Sequence, residues 1–581
     1  MATVRLVAIA VIAGGRDDRR MSSLGSAVRS TVIAACTALI ITAIIGLGSA
    51  TALAQGVGSV GGRVTDSSGA AAPGASVVLV NTGTGSRTET QTGSEGTYVF
   101  PNVMPGRYRV DARLDGFRPA VEDGVAVHVA TRTHLHLELR PGPISEAVVV
   151  EATSLVDRTS PAVGTLVDRQ FIENLPLNGR SFHTLLELTP GVTLTRPSIL
   201  SPGQFSVNGQ RGNGNYFTVD GVGANVGSTP VATFSQQSTG TLPAFSISGG
   251  TNTLASADAL EEFKVQTSSY AAEFGRNPGG QVSLATRSGT NTLTGSVFEY
   301  YRHDAFDANT WFNNRDGIEK LPLEQHQYGG TLAGPVRVPG YDGRGRTFFF
   351  LSYEGLRLTQ PQEVTYALVP SREARQRASG VLRQIYDSYP LGNTPSDPSD
   401  PLLTERYRVA TSYPSRLDAT SVRIDQQVGA ALRLFGRVNH APSATEQRAF
   451  AHSINRYELG LTTATVGATW TLGPRVVSDT RLNYSASRGL FSWDQATVDG
   501  AAATDLSGLF PGYADASNAR ISFQPMQSAS FAGNRVPGNF SGGKAVGNAQ
   551  QQFNLVQTTT VLAGAHEVKA GVDYRRLNPR A

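Results

Sequence analysis

The chain has 581 residues, with 63 Gly, 30 Pro and only 17% charged residues. Gly and Pro weaken helices and favour turns, so this composition excludes a helical bundle and points to β structure. Its length exceeds what one core sustains, and the formal charge of +4 is too small to mark a nucleic-acid binder.

Residues 1–54 read as an export signal. Arg16, Arg19, Arg20 and Arg29 supply positive charge, TVIAACTALIITAIIG over 31–46 the apolar stretch, and Ala52-Leu53-Ala54 the small residues for cleavage before Gln55. Met1 or Met21 serves as the start. Cys36, the single cysteine, lies in this segment, so the exported chain is expected to have neither disulfides nor thiolate chemistry. Without the signal, 45 basic residues face 44 acidic ones. No later segment approaches about 18 uninterrupted apolar residues, so any membrane crossing must use a barrel.

Residues 55–142 show short β runs between turn signals: GGRVTD, ASVVLVNT, TYVF, RYRVDARLDGF and THLHLELR. That spacing predicts a small antiparallel sandwich. In the last run Leu135, Leu137 and Leu139 share one face, and His134, His136 and Glu138 an exposed one. The pieces GRVTDSSGAAAPGASVVLVNT and GSEGTYVFPNVMPGRYRV resemble the carboxypeptidase regulatory-like domain, a module with a carbohydrate-binding-like fold whose name implies no peptidase activity here.

Residues 143–155 form a linker around Ser145-Glu146-Ala147-Val148-Val149-Val150-Glu151-Ala152. The isolated β run is either the closing strand of the sandwich or a partner-binding strand. It resembles a TonB box, which implies that Glu146, Val148, Val149 and Val150 pair with TonB.

Residues 156–289 begin with a short amphipathic helical pattern in LVDRQFIENLPLNGRSFHTLLELTPGV, followed by FSVNGQRGNGNYFTVDGV and EFGRNPGGQVSLATRSGTN. Asn208-Gly209 and Asp220-Gly221 are tight-turn signals. Together these pieces resemble the plug of TonB-dependent receptors, especially the Oar-like subclass. The residues that carry the plug resemblance are Asn208, Gly209, Arg211, Gly212, Asp220, Gly221, Gly279 and Gly280.

From residue 290 to 581 longer period-two runs appear. In TVGATWTL, Val466, Ala468, Trp470 and Leu472 oppose Thr465, Gly467, Thr469 and Thr471, and in SVRID, Val422 and Ile424 oppose Arg423 and Asp425. Such alternation matches the lipid-facing and lumen-facing sides of a membrane barrel. About ten strands are expected, near 294–302, 326–336, 345–357, 361–369, 419–428, 431–440, 463–472, 475–486, 553–561 and 565–576. Large plugged transporters have about 22, so the chain is expected to hold the first half of a barrel whose C-terminus is missing. Polar stretches such as NTPSDPSDP and 500–550 read as extracellular loops.

Catalytic signatures are lacking. There is no G-x-S-x-G elbow, Ala570 replaces the second His that a zincin would need after His566-Glu567, and GQRGNGN lacks the Lys-Ser/Thr of a phosphate-cradling loop. Asp304, Asp307 and Asn309 suit a solvated turn better than a calcium site. The expected fold is mainly β: a small antiparallel β-sandwich, an α+β plug and the first half of a transmembrane antiparallel β-barrel. The resemblance implies no enzyme and no cofactor or metal. It implies an outer-membrane receptor with a periplasmic sandwich, for energy-coupled uptake of a saccharide, siderophore or peptide. Its partners would be TonB with its inner-membrane motor, outer-membrane lipid and a small-molecule or oligosaccharide ligand, and no nucleic acid. The alternative is a secreted or surface-attached adhesin-like sandwich protein.

Overall fold

The structure is a computed structural model that describes residues 56–142, 148–151, 162–174, 181–194, 205–227, 253–271, 274–315, 317–361, 365–393, 403–409, 412–450, 452–473, 475–497, 499–502, 520–523, 540–543, 546–563 and 566–580. The expected export signal lies outside these residues, as does Glu146.

The N-terminal unit is a sandwich of two five-stranded sheets. In one, Gly58–Asp66 lies between Thr97–Val103 and Leu137–Pro141. In the other, Ala120–Val127, Gly106–Arg113, Ser76–Asn81 and Arg87–Gln91 follow in order. Alternation buries Val60, Val64, Val77, Leu79, Tyr98, Phe100, Val110 and Val125 between them. Each such large apolar side chain is worth about 1.5–3 kcal/mol when withdrawn from water. The THLHLELR run is split, because Arg132–His134 and Leu137–Pro141 pair in parallel with successive stretches of the same strand. Leu135, Leu137 and Leu139 are all buried, as their shared face predicts.

The second unit has a sheet ordered Val163–Asp168, Leu260–Ser268, Gln281–Thr286, Tyr216–Val219 and Val222–Gly223. The expected short helical pattern divides into helix Arg169–Asn174 and the 3₁₀ turn Phe182–Leu188, which lie on either side of Pro176 in the sequence. Phe182, Leu186, Phe205, Phe217, Phe263 and Leu284 form its core.

The third unit is one antiparallel sheet of nine strands, each paired with the next: Thr294–His303, Glu324–Pro335, Thr347–Pro361, Ser412–Val428, Leu432–Phe450, Ser453–Gly473, Val476–Gln495, Val546–Ala563 and His566–Arg580. Val466 and Trp470 are 57% and 52% exposed on the outer face, whereas Thr465 on the concave face is 3% exposed. The strands run well past the residues that alternate apolar and polar. Ser453–Gly473 has 21 residues, twice the 9–11 that cross the hydrocarbon. The run near 361–369 is not a barrel strand. Among the described residues Thr365–Pro370 pairs only with Thr404–Val409, and this two-stranded ribbon packs through Val369 and Tyr407 on Ile385 and Tyr389. Pro361 and Pro370 bracket it, and proline cannot donate to a ladder.

Candidate functional site

The second unit is fastened to the concave wall of the nine-stranded sheet at its tight turns. Asp220 and Gly221 have φ of +49° and +78°, and Thr218 pairs with Gly223 and Val219 with Val222. This is the two-residue hairpin that Asp-Gly favours. The turn leaves the Asp220 carboxylate buried against three barrel strands. It accepts from Thr286 N at 2.9 Å and Thr286 Oγ1 at 2.8 Å. Arg423 Nη1 lies 3.2 Å away and Arg437 Nη1 3.8 Å away. Arg481 Nη1 donates to the Asp220 carbonyl at 2.6 Å. Burial alone would raise the Asp220 pKa, but Arg423, Arg437 and the Thr286 N–H hold it below the ordinary carboxylate range. Asp425 balances Arg423 at 2.8 Å, and Asp479 balances Arg481 at 2.8 Å.

The seat extends on both sides of this charge cluster. Ser288 Oγ donates to Asp425 at 2.7 Å. Arg437 and Asn439 donate to the Leu254 and Thr253 carbonyls, each at 2.9 Å. Gly223 donates to Asn554 at 2.8 Å and accepts from Gln552 at 2.7 Å. Gly221 admits no side chain, since a Cβ there would stand 1.6 Å from Arg481 Nη1.

Of the other plug-motif residues, Gly212 and Gly280 converge on Asn215, which the sequence reading missed. Its amide nitrogen donates to Phe205 O at 2.7 Å and to Gly212 O at 3.2 Å. Its oxygen accepts from Gly280 N at 2.8 Å. Gly279 donates to Gly214 O at 2.9 Å, with no room for a Cβ. Asn208-Gly209 forms a second left-handed turn, with φ of +50° and +76°, closed by Gln210 N donating to Val207 O at 2.9 Å. Arg211 is exposed and outside the seat. Arg423, Arg437 and Arg481 were also missed as site residues. Alternation put Arg423 on the lumen side, but nothing local in the sequence pairs it with Asp220.

The sandwich is clasped to the same unit. His128 Nδ1 lies 2.7 Å from Glu262 Oε2, and the Val129 N–H donates to the other oxygen. Lys264 Nζ donates to Ala130 O at 2.8 Å and Thr131 Oγ1 at 3.0 Å. The hydrogen bond to Glu262 raises the His128 pKa, against the opposing effect of burial. Arg132 reaches Glu567 on the barrel sheet at 3.0 Å. The Val148–Glu151 strand lies parallel to Ala120–Asp123 at the edge of the second sandwich sheet. Among the described residues it has one neighbouring strand and lies at the sheet edge.

Among the described residues no group of three or more His, Cys, Asp or Glu could hold a metal ion. Asp307 pairs instead with Arg302 at 2.6 Å, and Lys320 donates to the Asp304 carbonyl at 2.6 Å.

Residues 285–390 and 374–580 match the outer membrane beta barrel domain family, which covers just over half of the chain. The chain belongs to the outer-membrane β-barrel family. This barrel protein resides in the bacterial outer membrane, and its residues 59–140 match the carboxypeptidase regulatory-like domain family. It is 27% identical over 258 residues to the TonB-dependent transporter Oar of Myxococcus xanthus, a match spanning 42% of this chain and 22% of that relative's length. The solved outer membrane transporter YddB from Escherichia coli covers 72% of this chain over 48% of its own, at 11% identity and a TM-score of 0.46. A mutant of the ferric enterobactin receptor PfeA from Pseudomonas aeruginosa covers 73% over 50% of its own, at 11% identity and a TM-score of 0.42.

Proposed function

We propose that the barrel protein is an energy-coupled receptor that imports a scarce ligand. In this reading residues 156–289 are the plug, 143–155 the coupling linker, and 55–142 a periplasmic sandwich. The observation that carries it is the seat of Asp220. A separate folded unit is held in the concave wall by a buried charge cluster and by single hydrogen bonds, an arrangement suited to a removable closure. Covalent continuity between plug and coupling strand gives a pulling partner a handle on it.

The handle is Val148–Glu151. A periplasmic partner strand would add to its outer edge, and backbone hydrogen bonds then give a directional joint that resists pulling. Val148, Val149 and Val150 are the residues assigned to TonB, with Glu146 preceding them.

Paired cysteines test this. The full-length receptor carrying Val149→Cys, co-expressed with a TonB bearing a cysteine in its partner strand, should give a disulfide adduct that increases when ligand is present. Val149→Pro should stop uptake while leaving barrel insertion intact, because proline removes a donor and cannot continue a paired strand. Normal uptake by Val149→Pro, with no adduct from Val149→Cys, rejects the assignment.

A further inference from the structure

The sandwich is held against the plug and the barrel sheet by polar contacts at separate points. Among the described residues the apolar cores of sandwich and plug have no member in common. The turn after Ser76–Asn81 docks on the segment that joins plug to barrel: Asn291 donates from N to Gly83 O at 2.9 Å and from Nδ2 to Thr84 O at 2.7 Å. Ser86 Oγ reaches Gln427 at 3.3 Å. Gly56, ahead of the first strand, lies against the Asp220 turn, and a Cβ there would stand 2.5 Å from Gly221 N. The other attachments are the clasp of His128–Thr131 on Glu262 and Lys264, and the Arg132 bond to Glu567. Each such bond contributes little by itself, about 0.5–3 kcal/mol, so the sandwich can lift away without either core unfolding.

The clasp lies on the ladder that holds the edge strand of the plug sheet. Across Val163–Asp168 and Leu260–Ser268, Glu262 stands directly opposite Asp168, and Lys264 opposite Leu166. Phe263 and Val265 point into the plug core, so Glu262 and Lys264 occupy the other face, turned to the sandwich. Glu262 is only 3% exposed, covered by His128 Nδ1 and the Val129 N–H. Like charges directly opposite one another loosen a ladder. The docked sandwich offsets the Asp168–Glu262 opposition by bringing donors to Glu262, while Asp168 Oδ1 accepts from Phe171 N at 3.1 Å. With the sandwich gone, the two carboxylates would oppose each other unrelieved at the end of the edge strand. The coupling strand belongs to the same device. Val148–Glu151 pairs in parallel with Ala120–Asp123, and Ala120–Val127 runs directly into His128.

We propose that the sandwich is a releasable brake on the plug. Docked, it holds the ladder of Val163–Asp168 shut; a pull on Val148–Glu151 passes through Ala120–Val127 to the clasp and lifts the sandwich off before the plug opens. The inference rests on the receptor reading above and adds a step ahead of plug opening. It gives the plug two independent holds at opposite edges of its sheet, the Asp220 seat on one side and the sandwich on the other. Only the second lies in line with the coupling strand.

Hydrogen exchange on the full-length receptor in nanodiscs reads the ladder directly. In His128→Ala and in Lys264→Ala, exchange over residues 163–168 should rise at least tenfold, while exchange over 216–223, beside the Asp220 turn, stays unchanged. Asp168→Asn added to His128→Ala should restore most of the protection, because asparagine keeps the cap on the following helix and removes the like charge; general damage to the clasp would not be rescued this way. The converse variant, Thr131→Cys with Lys264→Cys joined by a short bis-maleimide that stands in for the length of the lysine side chain, locks the sandwich down. Pulled by an atomic-force tip through an azide handle at residue 149, the wild type should show a sandwich-release event before the edge strand leaves. That event should come at lower force in His128→Ala and vanish in the cross-linked receptor. If heat-modifiable migration shows that a clasp variant does not assemble, the cross-linked receptor alone decides. Unchanged exchange in both clasp variants overturns the brake, as does a first event that cross-linking leaves in place. A TonB adduct through residue 149 that still forms in either case leaves the receptor reading standing and removes the brake alone.

Discussion

Removing the Asp220 carboxylate should loosen the plug in its seat. In Asp220→Ala, Arg437 loses its one acidic partner in the cluster, at 3.8 Å, and keeps Leu254 O at 2.9 Å and Ser421 Oγ at 3.1 Å. Arg423 keeps Asp425 at 2.8 Å. Breaking a buried ion pair from one side costs about 3–5 kcal/mol, and the retained Asp425 places this variant near the lower end. With a denaturant slope of about 1–3 kcal/mol per molar urea, the urea midpoint for plug release should fall by roughly 1–3 M. Single-protein conductance in planar bilayers reads that release as channel opening. The pH dependence follows from the depressed pKa of Asp220. Its stabilisation is fully present above the unfolded carboxylate value of about 3.9 and is lost as pH falls through the lower folded value. Plug release should therefore be insensitive to Asp220 between about pH 5 and 8 and rise only below about pH 4, and Asp220→Asn should remove that acid limb. A urea midpoint for Asp220→Ala equal to the wild type would refute the lock.

Two further outcomes concern the sandwich. The raised pKa of His128 means that its bond to Glu262 stabilises fully below the unfolded value of about 6.5 and is lost as pH rises through the folded value; hydrogen exchange at the Val129 amide should lose protection across that window, and His128→Gln should flatten the change. Residues 56–142 expressed alone should give a soluble β-rich circular-dichroism spectrum, and extending the fragment to 151 should raise its melting temperature, because Val148–Glu151 adds a strand to its sheet edge. A disordered spectrum for both fragments would contradict an independent domain.

The turns and the face of each strand were legible in the sequence because they depend on neighbours a few residues away. Asp220-Gly221 and Asn208-Gly209 announce left-handed turns by composition alone, and Val466/Trp470 against Thr465/Thr469 gives a membrane face. The strand ends were not legible for a physical reason. The expected run 463–472 stops where the outward positions turn to Gly460, Glu458 and Arg456. Beyond the lipid the outer face need not be apolar, so the period-two signal fades while the ladder continues to Ser453. The expected strand at 361–369 failed because a two-stranded ribbon in a loop alternates as a barrel strand does. The three arginines were invisible as site residues, since their partners lie far off in sequence: Asp220 is 203 positions from Arg423 and 261 from Arg481.

The position of the lock in the plug sheet constrains how that sheet would open. Force applied at Val148–Glu151 travels along the chain to Val163–Asp168, which among the described residues is the edge strand of the plug sheet and pairs with Leu260–Ser268 alone. The Asp220 turn joins the last two strands at the opposite edge. An edge strand is held by one ladder, whereas the Asp220 edge is held by a ladder and by a buried ionic cluster that costs about 3–5 kcal/mol to break from one side. Pulling should thus strip Val163–Asp168 first and open the passage on that side, with Asp220 still seated. Two engineered disulfides separate this from ejection of the whole plug. Thr165→Cys with Val265→Cys joins directly opposed residues of the pulled edge and should stop uptake until a reductant is added. Ser288→Cys with Asp425→Cys ties the seated side to the wall, where the native side chains touch at 2.7 Å, and should leave uptake largely intact. Equal block by both disulfides would mean that the plug leaves as one body.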